Sequence, residues 1–92
     1  MIGLQVSVNG QPLYTVGVGE FGLLHAGIDW AKVKSPTGKT HGHLWVGARA
    51  MYSPDKKTAH WQQTPIQVGD EVTIKVIETD ASDPPVPGPN SN

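Results

Sequence analysis

HGHLWVGARAMY, residues 41–52, alternates between two kinds of side chain. Every second residue is small or apolar: Gly42, Leu44, Val46, Ala48 and Ala50. The residues between them form a different set: His41, His43, Trp45, Gly47, Arg49 and Met51. Successive side chains of a β-strand point to opposite faces of its sheet, so the pattern predicts a strand with one face in a core and one face outside it.

The segment before it, residues 22–33, fits two periods. A two-residue period places four apolar side chains on one face: Leu24, Ala26, Ile28 and Trp30. A helical stripe over the same residues is the alternative. Two glycines and an aromatic residue favour the strand, and the intervening KSPTGKT loop then joins the two strands into a hairpin.

The register of this hairpin decides which polar side chains meet. The two apolar faces must coincide, because a slip of one residue would move a whole apolar set to the wrong side. Two registers satisfy this condition. One pairs Trp45 with Gly27, and the next pairs Trp45 with Asp29 and Arg49 with His25.

Outward from the hairpin, other short alternating runs also predict strands. The first ends at Asn9-Gly10, a dipeptide typical of the type I′ hairpin turn. The return strand follows, and Pro12 predicts an edge or a bulge at its start because proline lacks an N–H. The glycine-rich GVGEFG is a turn, AHWQQT is a short strand, and VGD precedes a final strand from Val72.

These elements predict an all-β domain: a small antiparallel sandwich or a partly open barrel of about five to seven strands. The domain would span residues 1–79, with Trp30 inside its core and Phe21 closing one end. Residues 80–92, DASDPPVPGPNSN, contain four prolines and a single sizeable apolar side chain, Val86. This composition predicts a flexible, disordered tail.

Two stretches, NGQPLYTVGVGEFGLL and VGDEVTIKVIETDASDPP, resemble segments of small uncharacterised bacterial or phage proteins. The resemblance covers about half of the chain and rests on the NG hairpin, the GVG turn and the terminal VGDEV strand. It implies a compact bacterial or phage β-domain and carries over no catalytic residue.

The amino-acid composition argues against several classes of function for this chain. A net charge of −1 with scattered lysines and arginines gives no electrostatic footprint for nucleic acid, and the absence of cysteine removes thiolate chemistry. No apolar run is long enough to cross a bilayer and no signal peptide is evident, so we expect a cytoplasmic protein without a membrane partner. No nucleophile and base can be placed together, so we expect no enzyme and no cofactor.

The outer face of the predicted hairpin is the best candidate site; the alternative is that a second sheet layer, Trp61 or a loop covers this face, and Trp45 is then a core residue. Its residues, with one aromatic outside the hairpin, are Trp45, Arg49, His43, His41, His25, Asp29 and Trp61. Trp and Arg dominate the energetics of protein interfaces, so the preferred hypothesis is a noncatalytic module that binds another protein, such as an inhibitor, immunity-type or adaptor protein. A homodimer through an edge strand or an apolar face is compatible with it.

Two alternatives stay open. A small-molecule or carbohydrate binder would have a concave pocket beside Trp45, whereas a protein-binding surface would be flat or convex there. A histidine-based metal enzyme would need His41 and His43 joined by His25 or Asp29, and we expect no such metal site.

Overall fold

A computed structural model describes residues 1–19 and 21–86 of the chain. Seven strands and no helix occur in these ranges: β1 (Ile2–Val8), β2 (Gln11–Gly17), β3 (Gly22–Lys34), β4 (Thr40–Tyr52), β5 (Thr58–His60), β6 (Thr64–Pro65) and β7 (Val72–Glu78). All pairings are antiparallel. The segment at residues 22–33 is therefore a strand, and the helical alternative is wrong.

The strands form two separate sheets. The three-stranded sheet has the order β2-β1-β7, and the hairpin sheet has the order β3-β4-β5, with β6 also pairing with β4. The Asn9-Gly10 turn between β1 and β2 has positive φ at both residues, 53° and 81°, as a type I′ turn requires. The β1–β2 ladder is irregular beside Pro12, and β2 lies at the edge of its sheet, so the prediction for this proline is confirmed.

The sheets pack face to face as a sandwich and do not close into a barrel. The buried cluster between them consists of Val16 from β2, Ala48 and Ala50 from β4, and Trp61, which follows β5. These small side chains let the layers approach, and the Trp61 indole fills the remaining space with only 2% of its surface exposed. The even-numbered face of residues 41–52 is thus the core face, as predicted.

The hairpin sheet extends well past this core. Strands β3 and β4 have thirteen residues each, whereas β1, β2 and β7 have seven. At roughly 3.4 Å per residue, the hairpin is about 44 Å long against about 24 Å for the sheet that covers it. Toward the hairpin tip, the inner face consequently becomes exposed, as at Ile28 and Trp30.

Two predicted core aromatics lie on the surface for this reason. Trp30 is on the core face of β3 but beyond the end of the three-stranded sheet, and 64% of it is exposed. Phe21 lies in the connection before β3 and is 70% exposed. Both core predictions are wrong.

The segment at residues 80–86 also differs from the prediction of a free tail. The Asp83 N–H donates to the Thr15 carbonyl, and the Asp83 carboxylate accepts from the Thr15 N–H, each at 2.8 Å. Trp61 Nε1 donates to the Asp83 carbonyl at 2.7 Å, and the Val86 N–H donates to the His60 carbonyl at 2.8 Å. Hydrogen bonds to the backbone and to the buried indole thus offset the conformational entropy that this proline-rich segment loses on ordering. The segment joins the two sheets. The last six residues of the predicted tail, 87–92, lie outside the described residues.

Substitution of Trp61 and Trp30 compares the two aromatics directly. Trp61→Phe removes the bond to Asp83 and part of the core volume, so we expect a loss of about 1–3 kcal/mol in the free energy of unfolding. Trp30→Phe, the matched control on the exposed hairpin, should change it by less than about 0.5 kcal/mol. Urea unfolding followed by circular dichroism measures both; equal losses would contradict the assignment of Trp61 to the core and Trp30 to the surface.

A polar cluster joins the first turn to the start of β7. The Asp70 carboxylate accepts hydrogen bonds from the Asn9 side chain at 3.0 Å and from the Gln67 N–H at 2.8 Å. These bonds, that from Asn9 first, hold the pKa of Asp70 below its ordinary value. The carboxylate therefore stays ionised to lower pH in the folded chain than in the unfolded chain.

This cluster predicts part of the acid sensitivity. Because the folded-state pKa of Asp70 is lowered, its stabilisation is complete above the unfolded pKa of about 3.9 and is lost as the pH falls through the folded value. We expect the melting temperature of Asp70→Asn to fall less between about pH 5 and pH 2 than that of the wild type. Asp80→Asn is the control, since the Asp80 carboxylate has no hydrogen bond within the described residues. Identical pH profiles for wild type and Asp70→Asn would contradict this role.

Candidate functional site

The outer face of the hairpin sheet is ordered in rows of side chains that run across its strands. His25 of β3 pairs with Arg49 of β4, which pairs with His60 of β5. Four residues away along β4, Trp45 lies between Asp29 of β3 and Pro65 of β6. The register is thus the second of the two predicted ones, and even-numbered residues pair with even-numbered residues throughout the hairpin.

Between these rows lies a pair of glycines, Gly27 and Gly47, directly opposite each other. Glycine inside a strand costs roughly 0.5–1 kcal/mol relative to alanine, and it leaves the backbone uncovered for close approach. A Cβ at Gly47 would meet only the Gln63 Cγ at 3.5 Å and the Trp45 Cδ1 at 3.9 Å, which are ordinary contact distances. Gly47 therefore leaves a gap in the layer of outer side chains, whereas the His25 ring lies over Gly27, 3.2 Å from where a Cβ would be.

A β-bulge borders the same gap. Three residues, Trp61 to Gln63, stand between the paired residues His60 and Thr64, whereas only Ala48 and Gly47 stand between their partners on β4. Such an extra residue bends its strand and redirects its side chains, and bulges are common beside functional sites. Here Trp61 enters the core, while the Gln63 side chain lies next to the glycine pair.

The result is a pocket of about 150 Å³. It is lined by His25, Asp29, Trp45, Gly47, Ala48, Arg49, His60, Trp61 and Gln63. A cavity of roughly this volume is large enough for one benzene-sized group. The pocket is open to solvent on the outer face of the sheet.

The charged groups of the pocket are not neutralised by each other. The ion pairs found among residues 1–19 and 21–86 involve neither Arg49 nor Asp29. In the ladder these two residues are four positions apart along the strands, about 14 Å at roughly 3.4 Å per residue. The pocket therefore has the Arg49 cation, flanked by His25 and His60, at one end and Asp29 at the other.

The Trp45 indole separates this pocket from the hairpin tip. Its ring is in an edge-to-face arrangement with His43, with ring centres 6.2 Å apart and an interplanar angle of 66°. The Trp45 Nε1–H is buried and has no hydrogen-bond partner in the described part of the chain. Its neighbour in the ring, Cδ1, would lie 3.9 Å from a Cβ at Gly47, so the edge of the indole borders the glycine gap.

Some predicted site residues lie elsewhere. His43 contacts Trp45 from the far side of the pocket, and His41 pairs with Val33 still nearer the hairpin tip. His25 is at the opposite end of the ladder, so the three-ligand arrangement considered for a metal is not formed. Over the described ranges, no group of three or more His, Cys, Asp or Glu residues is placed to hold a metal ion.

Trp61 lines the pocket but lies in the core, and four pocket residues were missed: Gly47, Ala48, His60 and Gln63. Trp61 is not on the outer face: it is a core residue whose edge reaches the pocket from below. His60 was missed, although alternation with the inward-facing Ala59 and Trp61 would have placed it outside. Gly27 and Gly47 are paired in this register, and two paired glycines could have been used to predict a gap between the side chains. The bulge that brings in Gln63 has no sequence signal of its own.

Comparisons with known proteins found no match: no protein-family model, no curated protein and no solved structure is similar to the chain at a significant level. Among the described residues, no helix is long and apolar enough to span a membrane. The candidate site therefore has to be interpreted from its own geometry.

Filling the gap tests whether it is open space. Gly47→Val adds a β-branched side chain that suits a strand and meets only ordinary contacts at its Cβ, so we expect the free energy of unfolding to be unchanged or to rise by about 0.5–1 kcal/mol. Gly27→Val is the matched comparison, and it should gain less because its Cβ would lie 3.2 Å from the His25 ring. Urea unfolding measures both variants. A loss above about 1 kcal/mol in Gly47→Val would show that the backbone or packing requires this glycine.

Proposed function

We propose that the protein is a noncatalytic module that binds another protein through the outer face of its hairpin sheet, in the manner of an inhibitor, immunity-type or adaptor protein. The observation that carries the proposal is the pocket at the glycine pair, with a half-buried tryptophan and an exposed arginine on its walls. Partner residues bound in small pockets beside Trp or Arg are the typical centres of protein interfaces.

The size of the pocket supports a side chain as its occupant. Pockets for drug-sized ligands have roughly 300–1,000 Å³, whereas this pocket has about 150 Å³. A single side chain presented by a folded partner fits that space, and the surrounding strand surface would supply the remaining contact area. The unpaired Arg49 and Asp29 side chains would then provide specificity through charges on the partner.

The alternative of a small-molecule or carbohydrate binder keeps one observation in its favour. The surface beside Trp45 is concave, as that alternative predicts, and the indole could stack on a flat ring. Inside the pocket at the glycine gap, such a ligand would be restricted to about the size of one ring. Protein binding is preferred because a single side chain of a partner fills this pocket.

Site-specific photo-crosslinking tests the proposal. A photoreactive amino acid at Ala31, on the outer face one row beyond Asp29 and Trp45, should capture a distinct protein in the source cells. The same amino acid at Lys75, which pairs with Gln5 on the outer face of the three-stranded sheet, is the matched control and should not capture it.

A double substitution, Trp45→Ala with Arg49→Ala, should abolish the adduct at position 31 while circular dichroism shows an unchanged fold. Truncation of a central Trp or Arg commonly costs 2 kcal/mol or more of binding energy, about a thirtyfold loss of affinity. The same adducts at positions 31 and 75, or an adduct that survives the double substitution, would contradict the proposal.

A further inference from the structure

The pocket has a chemical preference that follows from the order of its rows. At one end, three side chains are in line across three strands, His25, Arg49 and His60, with the cationic guanidinium in the middle. The group that this end would hold must be anionic or strongly hydrogen-bond accepting. Arginine retains its charge at any physiological pH and presents a planar fork of donors.

We infer that the pocket binds a carboxylate carried by an acidic side chain of the partner protein, with Arg49 as its principal contact. The inference rests on the proposed function and adds the chemistry of the partner residue. Arginine and carboxylate form two parallel charge-assisted hydrogen bonds, which are stronger and more directional than neutral ones. The flanking imidazoles of His25 and His60 can each donate a further hydrogen bond.

The surroundings of Arg49 leave it available for this role. It is exposed, and none of the hydrogen bonds or ion pairs found in the described ranges uses its guanidinium. Asp29 is about 14 Å further along the ladder by strand rise and so does not occupy it. Gly47 supplies the space for the methylene groups of an acidic side chain next to Arg49 and the Trp45 ring.

A phosphate group fits the same geometry less well. Phosphate sites usually offer several free backbone N–H groups, at a helix N-terminus or in a turned loop. Much of the floor of this pocket is the paired β3–β4 ladder, and the described residues include no helix. Asp29 on the pocket wall would also repel a doubly charged group more strongly than a single carboxylate.

Two isosteric probes test the inference by NMR on the 15N-labelled protein. N-acetyl-glutamate N-methylamide carries the carboxylate, and N-acetyl-glutamine N-methylamide replaces it with a neutral amide of the same shape. The glutamate probe should give saturable shifts of the Arg49 Nε–H and Trp45 Nε1–H resonances, and the glutamine probe should not. Absent shifts with the glutamate probe, or equal shifts with both probes, would overturn the inference.

Charge-matched variants show whether Arg49 is the contact. Arg49→Gln should weaken binding of the glutamate probe roughly tenfold or more, as the loss of a charge-assisted pair implies. Lys32→Gln removes an equal charge from β3, on the face opposite His25 and Asp29, and should leave binding unchanged. Equal losses in both variants, or tighter binding of inorganic phosphate than of the glutamate probe, would overturn the inference.

Failure of these experiments is separable from failure of the proposed function. Crosslinking at position 31 reports on a protein partner whatever residue that partner inserts, whereas the NMR titration reports on the carboxylate alone. A crosslinked adduct at position 31 without binding of the glutamate probe would support the protein-binding function and contradict the inferred acidic partner residue. Binding of the glutamate probe without a crosslinked adduct at position 31 would support the carboxylate site and contradict the proposed protein partner.

Discussion

The ladder between β3 and β4 is the constraint on which the rest of the structure depends. It pairs thirteen residues of one strand with thirteen of the other without a shift, from Gly22 with Tyr52 to Lys34 with Thr40. Because side chains alternate with a period of two, this single register fixes both faces of the hairpin together. It directs Ala48 and Ala50 into the core, and it directs His25, Arg49 and the paired glycines outward.

The sandwich that contains this ladder has a small hydrophobic core. Among residues 1–19 and 21–86, the fully buried large side chains are three valines, Val6, Val16 and Val46, and the Trp61 indole bridges the layers. The segment around Asp83 therefore matters for the fold, since it bonds to β2 in one sheet and to Trp61 beside β5 in the other. A domain of this size buries a modest fraction of its surface, so such bonds between the layers form a substantial part of its cohesion.

Sequence alternation predicted the fold class, the hairpin and the face that carries each of its residues, because these depend on local period and turn chemistry. It did not predict which parts of an inward face are covered, because coverage depends on the relative lengths of two sheets. Trp30 shows this: it is on the core face, but the opposing sheet ends before reaching it. Only part of the site was predicted, because local alternation does not show which separate strands pair. Trp45, Arg49, His25 and Asp29 follow from the hairpin, whereas His60 and Gln63 come from a third strand whose pairing depends on a bulge.

The most direct test of the central claim measures the register of the hairpin. The chain has no cysteine, so pairs can be introduced singly, and residues directly opposite in an antiparallel ladder have Cα atoms about 4.5–5.5 Å apart, within disulfide range. The ladder predicts that Gly27→Cys with Gly47→Cys forms a disulfide under mild oxidation, measured by mass spectrometry, and that Gly27→Cys with Trp45→Cys does not. Formation of the second disulfide in place of the first would show a register shifted by two residues, with no glycine gap and no cationic row beside it.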